Sequence, residues 1–311
     1  VSVALLFPGQ GAQSPGFLHR LPEHPLVRAT LDQASEILGE DVLALDSAEA
    51  LSSTVAVQLT TLVAGVAAWR VLGGEGVSAD AVAGLSVGAF AAAVACDTLS
   101  FADALPLVKL RAQGMERAYP RGYGMAAIIG LDERRVAALV ERAGGANSRL
   151  YLANINAPTQ MVLAGPDAAL DAAIAAARQA GARKAKRLAV SVPSHCPLLD
   201  AVSSQLAEAM AKIELRAPRI PYVGNCRARV ARDAAGVAED LINNVARTVR
   251  WHDATVVLYE LGARLFVEPP PGQVLSRLAR EAFGDARSVA LGDVDLDSVV
   301  LLARREQSQD G

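Results

Sequence analysis

The pentapeptide Gly84-Leu85-Ser86-Val87-Gly88 constrains this chain more than any other stretch. It follows the apolar run Ala81-Val82-Ala83, which reads as the end of a buried strand. It precedes the alanine-rich segment Ala89 to Ala95, which reads as a helix. Glycines two residues either side of the serine permit a turn too cramped for larger side chains. A strand-turn-helix of this kind lifts the Ser86 hydroxyl to the end of a parallel sheet, above a helix N-terminus. Backbone N–H groups and a positive dipole end there favour a developing oxyanion. The same five residues also fit a serine in an ordinary strand-to-helix loop, and the flanking pattern tips the reading towards a nucleophile.

A chain of 311 residues holds one large domain, or a large one carrying a smaller insert. Hydrophobic residues make up 52% and aromatics only 4%, so Ala, Val and Leu must fill the core. That favours α/β layers with close-packed helices over an aromatic-rich sandwich. The net charge of −3 is spread along the chain and argues against a nucleic-acid footprint. Cys96, Cys196 and Cys226 are far apart and lack C-x-x-C spacing, which disfavours a disulfide framework or a metal site. No charged leader with an apolar core and no 18-residue apolar span is read, so the expectation is a cytoplasmic protein without a membrane partner.

Three segments follow from the pattern: 1–123 and 191–311 as two parts of a large α/β domain, and 124–190 as an insert. Within the first part, Val3 to Phe7 reads as a strand, and Pro25 to Leu38, Val55 to Leu72 and Phe101 to Ala118 as helices. The insert reads strand (Met125 to Gly130), helix (Glu133 to Ala143), strands (Leu150 to Asn154, Gln160 to Ala164), helix (Asp167 to Gly181) and strand (Ala185 to Val190). This β-α-β-β-α-β order is ferredoxin-like. A helix beginning near Pro197, a strand from Tyr222 to Asn225, helices from Ala238 to Val245 and Ala254 to Leu261, and a strand from Leu265 to Glu268 complete the large domain. Residues from Arg304 to Gly311 are expected to fray.

A serine needs a base, and the chain has four histidines. His19 and His24 lie in a proline-flanked loop and read as surface residues, while His252 beside Trp251 reads as a capping or packing residue. His195 sits in the proline-bounded turn Val192-Pro193-Ser194-His195-Cys196-Pro197 where the insert ends, which suits a cleft residue. Gly9-Gln10-Gly11 could open a dinucleotide fingerprint, but position 14 is Ser where the third glycine belongs. No phosphate-binding G-x-x-x-x-G-K-[ST] is present either.

Phe7-Pro8-Gly9-Gln10-Gly11-Ala12-Gln13, the Gly84–Gly88 turn, Leu110-Arg111, and Val190-Ser191-Val192-Pro193-Ser194-His195-Cys196 occur in the order and spacing of one family. Together, with Ala153-Asn154-Ile155-Asn156-Ala157-Pro158 in the insert, they resemble malonyl-CoA:acyl carrier protein transacylases from Val3 to about Arg280. The resemblance implies an α/β-hydrolase-like large domain with a parallel sheet and an inserted ferredoxin-like small domain, the site lying between them. It implies Ser86 as nucleophile, His195 as base and Asn244 as the residue orienting the histidine by its amide or its backbone carbonyl. Gln10 and Val87 would supply oxyanion-hole N–H groups, and Arg111 would grip the malonyl carboxylate with Met115 and Gln58 near it. No metal or bound cofactor is implied. Malonyl-CoA would be the donor and an acyl carrier protein the acceptor.

The sequence departs from the family pattern at two positions. Members serving fatty-acid synthesis usually read G-H-S-x-G-E, and this chain has Leu85 and Ala89 there, with Phe90 next. That variant resembles the epsilon subunit of bacterial malonate decarboxylase, which implies that enzyme's small carrier subunit as acceptor. Loading of a fatty-acid or polyketide carrier is the alternative, and a plain serine hydrolase or a non-catalytic docking subunit are rivals of other classes.

Overall fold

The computed structural model describes residues 2–119, 121–144 and 149–308. Strand β1 (Val3–Phe7) is entirely buried and lies at the centre of the larger of two sheets. It pairs in parallel with β2 (Ala81–Gly84) on one side and β9 (Leu265–Glu268) on the other. The six-stranded order is β10-β9-β1-β2-β7-β8, with β7 (Tyr222–Val223), β8 (Val230–Ala231) and β10 (Arg287–Ala290). All pairs are parallel except β7–β8. Parallel strands covered on both faces read as continuous apolar runs, which is why Val-Ala-Leu-Leu-Phe shows no polar alternation.

The two faces separate by strand period. Val3, Leu5 and Phe7 enter one core with Leu62 and Val66 from α2 (Thr54–Gly74), Phe90 from α3 (Gly88–Ala95) and Leu105 from α4 (Phe101–Ala118). Ala4 and Leu6 enter the other with Trp251 and Leu258 from α9 (Trp251–Glu260) and Leu275 from α10 (Val274–Ala282). Helix α2 corrects the expectation that no long apolar span exists. It is long and apolar enough to cross a membrane, with a mean hydropathy of 1.6, but 83% of its apolar window is buried inside the fold. Its apolar character reflects burial on all sides rather than one stripe.

The smaller sheet has the antiparallel order β4-β5-β3-β6. Its strands are β3 (Tyr123–Ile129), β4 (Tyr151–Ala157), β5 (Gln160–Pro166) and β6 (Lys184–Arg187). Helices α5 (Glu133–Gly144) and α6 (Asp167–Gln179) cover one face over Ile128, Met161 and Leu163. The other face carries Met125, Ala153 and Val162 against Cys196 at the return to the larger sheet. A large parallel-sheet body with a ferredoxin-like insert is therefore the fold. The two bodies are stitched together where Val249 exchanges backbone bonds with Ala153 and Ile155, both 2.9 Å.

Several elements depart from the sequence expectation. The strand expected from Ala185 to Val190 is Lys184–Arg187, and the helix expected from Ala238 starts at Ala234, because Asp233 caps it through Gly236 N. This helix, α8 (Ala234–Asn243), ends with Asn244 as its C-cap rather than at Val245. Beyond β9 the chain adds α10, β10 and α11 (Leu296–Gln307), none of which the sequence reading placed. Residues from Arg304 were expected to fray, yet α11 runs to Gln307. Arg304 is docked on the Glu75 carbonyl and Gln307 on the Ser78 carbonyl. Residues 309–311 lie outside the described residues. His24, expected at the surface, caps α1 (Pro25–Leu38) by accepting from Leu26 N.

Candidate active site

The turn after β2 is forced by contact rather than by preference. A Cβ on Gly84 would lie 2.1 Å from the Gly88 carbonyl oxygen, and one on Gly88 would lie 2.3 Å from that of Phe7. Ser86 between them has φ +57°, a left-handed conformation that costs a non-glycine residue about 1–2 kcal/mol. The strain places the hydroxyl in a cavity of about 200 Å³ between the larger sheet and the open face of the smaller one.

Beside the turn, Leu85 N donates to the Phe7 carbonyl at 2.9 Å, so the Pro8-Gly9-Gln10 loop leaves β1 against the Ser86 turn. Gln10 lines the cavity, and Val87 is the N-cap of α3. Among the described residues, the backbone N–H groups of Gln10 and Val87 have no protein acceptor. One of these amides belongs to a residue of the cavity wall and the other directly follows Ser86 in the chain.

His195 is buried and also strained, with φ +62°, and its backbone N–H donates to the Val245 carbonyl at 2.8 Å. Its Nδ1 meets the backbone carbonyl of Asn244. A carbonyl only accepts, so Nδ1 carries the proton and Nε2 keeps a lone pair for the cavity. Burial and the nearby Arg111 charge, opposed by the Asn244 carbonyl, pull the His195 pKa down to about 3. The imidazole is neutral at ordinary pH.

Arg111 on α4 is completely buried. One guanidinium nitrogen donates to Gln58 Oε1 at 2.6 Å and reaches Met115 Sδ at 3.4 Å. The other donates to Ser86 Oγ at 3.1 Å and Asn244 Oδ1 at 3.3 Å, and Nε is buried without a partner. Every partner is neutral. Burial lowers its pKa to about 9, which leaves it charged at neutral pH. Helices α2 and α4 are locked where this happens: Glu116, one residue beyond Met115, accepts from Ser53 Oγ at 2.8 Å and from Thr54 N and Val55 N at the start of α2. That carboxylate sits favourably at the N-terminus of α2, the helix that carries Gln58.

All eight residues singled out in the sequence therefore converge. Ser86, His195, Gln10, Gln58 and Met115 line the cavity, while Arg111 and Asn244 back it and Val87 starts the helix beneath it. Among the described residues, Ser86 Oγ is hydrogen-bonded to Arg111 and not to His195. His19, at the surface, pairs with Asp46. Sequence reasoning missed Asn225 and Asp240 beneath the turn. The sequence reading placed Asn225 as the last residue of a strand, whereas β7 ends at Val223 and frees the Asn225 side chain to bond the turn.

The family follows from comparison. The acyl transferase domain family matches residues 4–308, beyond the Arg280 limit of the motif resemblance. The chain belongs to that family. It is an acyltransferase of the malonyl-CoA:acyl carrier protein transacylase type. The malonyl CoA-acyl carrier protein transacylase of Salmonella typhimurium is 37% identical over 296 residues, covering 93% of this chain and 96% of that protein. The solved transacylase of Coxiella burnetii superposes with a TM-score of 0.92 at 34% identity, over 98% of this chain and 97% of that one. A malonyl-transacylase solved in complex with a type II polyketide acyl carrier protein gives 0.91 at 33% identity, over 97% and 99%.

Proposed function

We propose that this acyltransferase moves the malonyl group from malonyl-CoA to the phosphopantetheine-type thiol of an acyl carrier protein through a malonyl-Ser86 ester. The observation that carries the reading is Arg111, a fully buried guanidinium 3.1 Å from Ser86 Oγ that pairs with no carboxylate among the described residues. An uncompensated buried cation is costly, and a substrate carboxylate offsets that cost while making charge-assisted, bidentate bonds.

Ser86 Oγ attacks the thioester carbonyl as His195 Nε2 takes its proton. The Gln10 and Val87 amides hold the oxyanion, and loss of one such donor typically costs about 3 kcal/mol of transition-state stabilisation. As the C–S bond breaks, His195 returns the proton to the coenzyme A sulfur. The carrier thiol then attacks the ester by the same steps reversed, and Ser86 recovers its proton. The Asn244 carbonyl does the orienting work of a third triad member without adding a negative charge. No bound cofactor enters this scheme.

The names of the relatives support a transacylase of the fatty-acid or polyketide type as the nearer reading of the acceptor. Leu85 beside Ser86 and Ala89 on α3 favour the malonate decarboxylase carrier as the second reading, because the turn lacks the His and Glu usual in fatty-acid members. Intact-mass measurement with a panel of acyl-CoAs tests the first half-reaction. Malonyl-CoA should add one malonyl group to the wild type and none to Ser86→Ala, and an adduct persisting in the variant refutes the assignment. Parallel loading of a fatty-acid carrier and a decarboxylase carrier decides the acceptor.

A further inference from the structure

Strand β7 pairs with β2 only at Val82 and Ala83, and the ladder stops before the nucleophile turn. The side chain of Asn225 continues it. Its Oδ1 accepts from Ser86 N at 2.9 Å, and its Nδ2 donates to the Gly84 carbonyl at 2.9 Å. One side-chain amide thus spans both ends of the strained turn, much as a peptide group of a neighbouring strand would. Asn225 is buried, and so is Asp240 on α8 behind it.

Asp240 decides which way the amide faces. Its Oδ1 accepts from Asn225 N at 2.7 Å and Cys226 N at 3.0 Å; its Oδ2 accepts from Tyr222 OH at 2.8 Å and Asn225 Nδ2 at 3.1 Å. A carboxylate in this network only accepts. A flipped Asn225 would set its oxygen against both the carboxylate and the Gly84 carbonyl, and its NH2 against the Ser86 N–H. Four donors hold the carboxylate, and the carboxylate holds the amide.

We infer that Asn225 is a positioning residue that keeps Ser86 in its left-handed conformation for attack, and that Asp240 is the residue fixing Asn225 in the required orientation. The bond to Asn225 also occupies the Ser86 N–H, which leaves the Val87 amide as the donor from this turn to the oxyanion. The inference rests on Ser86 as the acyl acceptor. It predicts an effect on the rate of acylation rather than on substrate affinity, because neither residue reaches the cavity occupied by the acyl group.

The test is rapid-quench acylation of the full chain by malonyl-CoA, read by intact mass, with malonyl-CoA affinity and the thermal midpoint measured alongside. Asn225→Ala should slow the acylation rate constant of the folded protein about 10²-fold, as small misplacements of a reacting group do, with affinity within threefold of wild type. A merely structural role would lower the midpoint or the fraction that reacts and leave the rate constant of the reacting fraction unchanged. Asp240→Asn keeps the size of the side chain and should slow the rate constant by a smaller factor; it carries the test if Asn225→Ala does not fold. Asn225→Asp sets two carboxylates together, and adding Asp240→Asn should recover part of its loss, since neighbouring groups in one network couple. Rate constants within twofold of wild type for Asn225→Ala, or for Asp240→Asn where the first is unfolded, would overturn the inference. A wild type that forms no adduct on Ser86 would instead overturn the functional reading, and the two failures are distinct.

Discussion

Replacing Arg111 with alanine should exchange one acyl preference for another. In the intact site the guanidinium is fully buried and its contacts to Gln58, Met115, Ser86 and Asn244 are all neutral. The site therefore holds one desolvated positive charge, whose counter-charge in the proposed function is the malonyl carboxylate. A bidentate carboxylate contact to such a cation contributes on the order of 2–4 kcal/mol. At 1.36 kcal/mol per tenfold, Arg111→Ala should lower kcat/KM for malonyl-CoA by about 30- to 900-fold. Acetyl-CoA has no group for the cation, so its kcat/KM should hold or rise, and the ratio of malonyl to acetyl transfer should fall by at least the same factor. The assay is competition between the two donors in one tube, read as the mass of the Ser86 adduct, with circular dichroism to confirm folding. A variant that keeps its wild-type preference for malonyl would refute the argument and require another cation at the carboxylate.

Three further outcomes rest on the same geometry. Gly88→Ala adds a Cβ 2.3 Å from the Phe7 carbonyl oxygen and 2.6 Å from that of Pro8, both backbone atoms, so the variant should lose adduct formation and yield of folded protein together. Normal acylation by that variant would show that the turn can open. Because burial holds His195 neutral down to about 3, single-turnover acylation should stay flat through pH 6.5 instead of falling there. The same lowered pKa means that the unfolded chain binds this proton more readily, so the contribution of His195 to stability is complete above about pH 6.5 and is lost as pH falls towards about 3. An inflection in the rate near 6.5 would place the base in a more solvated setting.

The sequence determined what depends on local pattern. Glycine spacing around Ser86, the apolar run before it and the alanine-rich run after it dictated strand, turn and helix, because no bulkier residue fits at Gly84 or Gly88. The β-α-β-β-α-β order of the insert was equally legible, since its strands and helices alternate with clear turns. The elements after Glu268 were not placed, although Asp295 caps α11 through Ser298 N; tertiary contacts of Arg304 and Gln307 then carry that helix to Gln307. Motif order alone brought Ser86, His195, Arg111 and Gln10 onto one list of site residues. Tertiary structure decided their electrostatic state. That Arg111 has neutral partners only, that the Asn244 contact to His195 comes from its carbonyl, and that Asn225 and Asp240 brace the turn all depend on residues distant in sequence. Burial and hydrogen-bond direction belong to the packed chain: a sequence supplies the donors and acceptors, and only folding decides which of them meet and which are shut away from water.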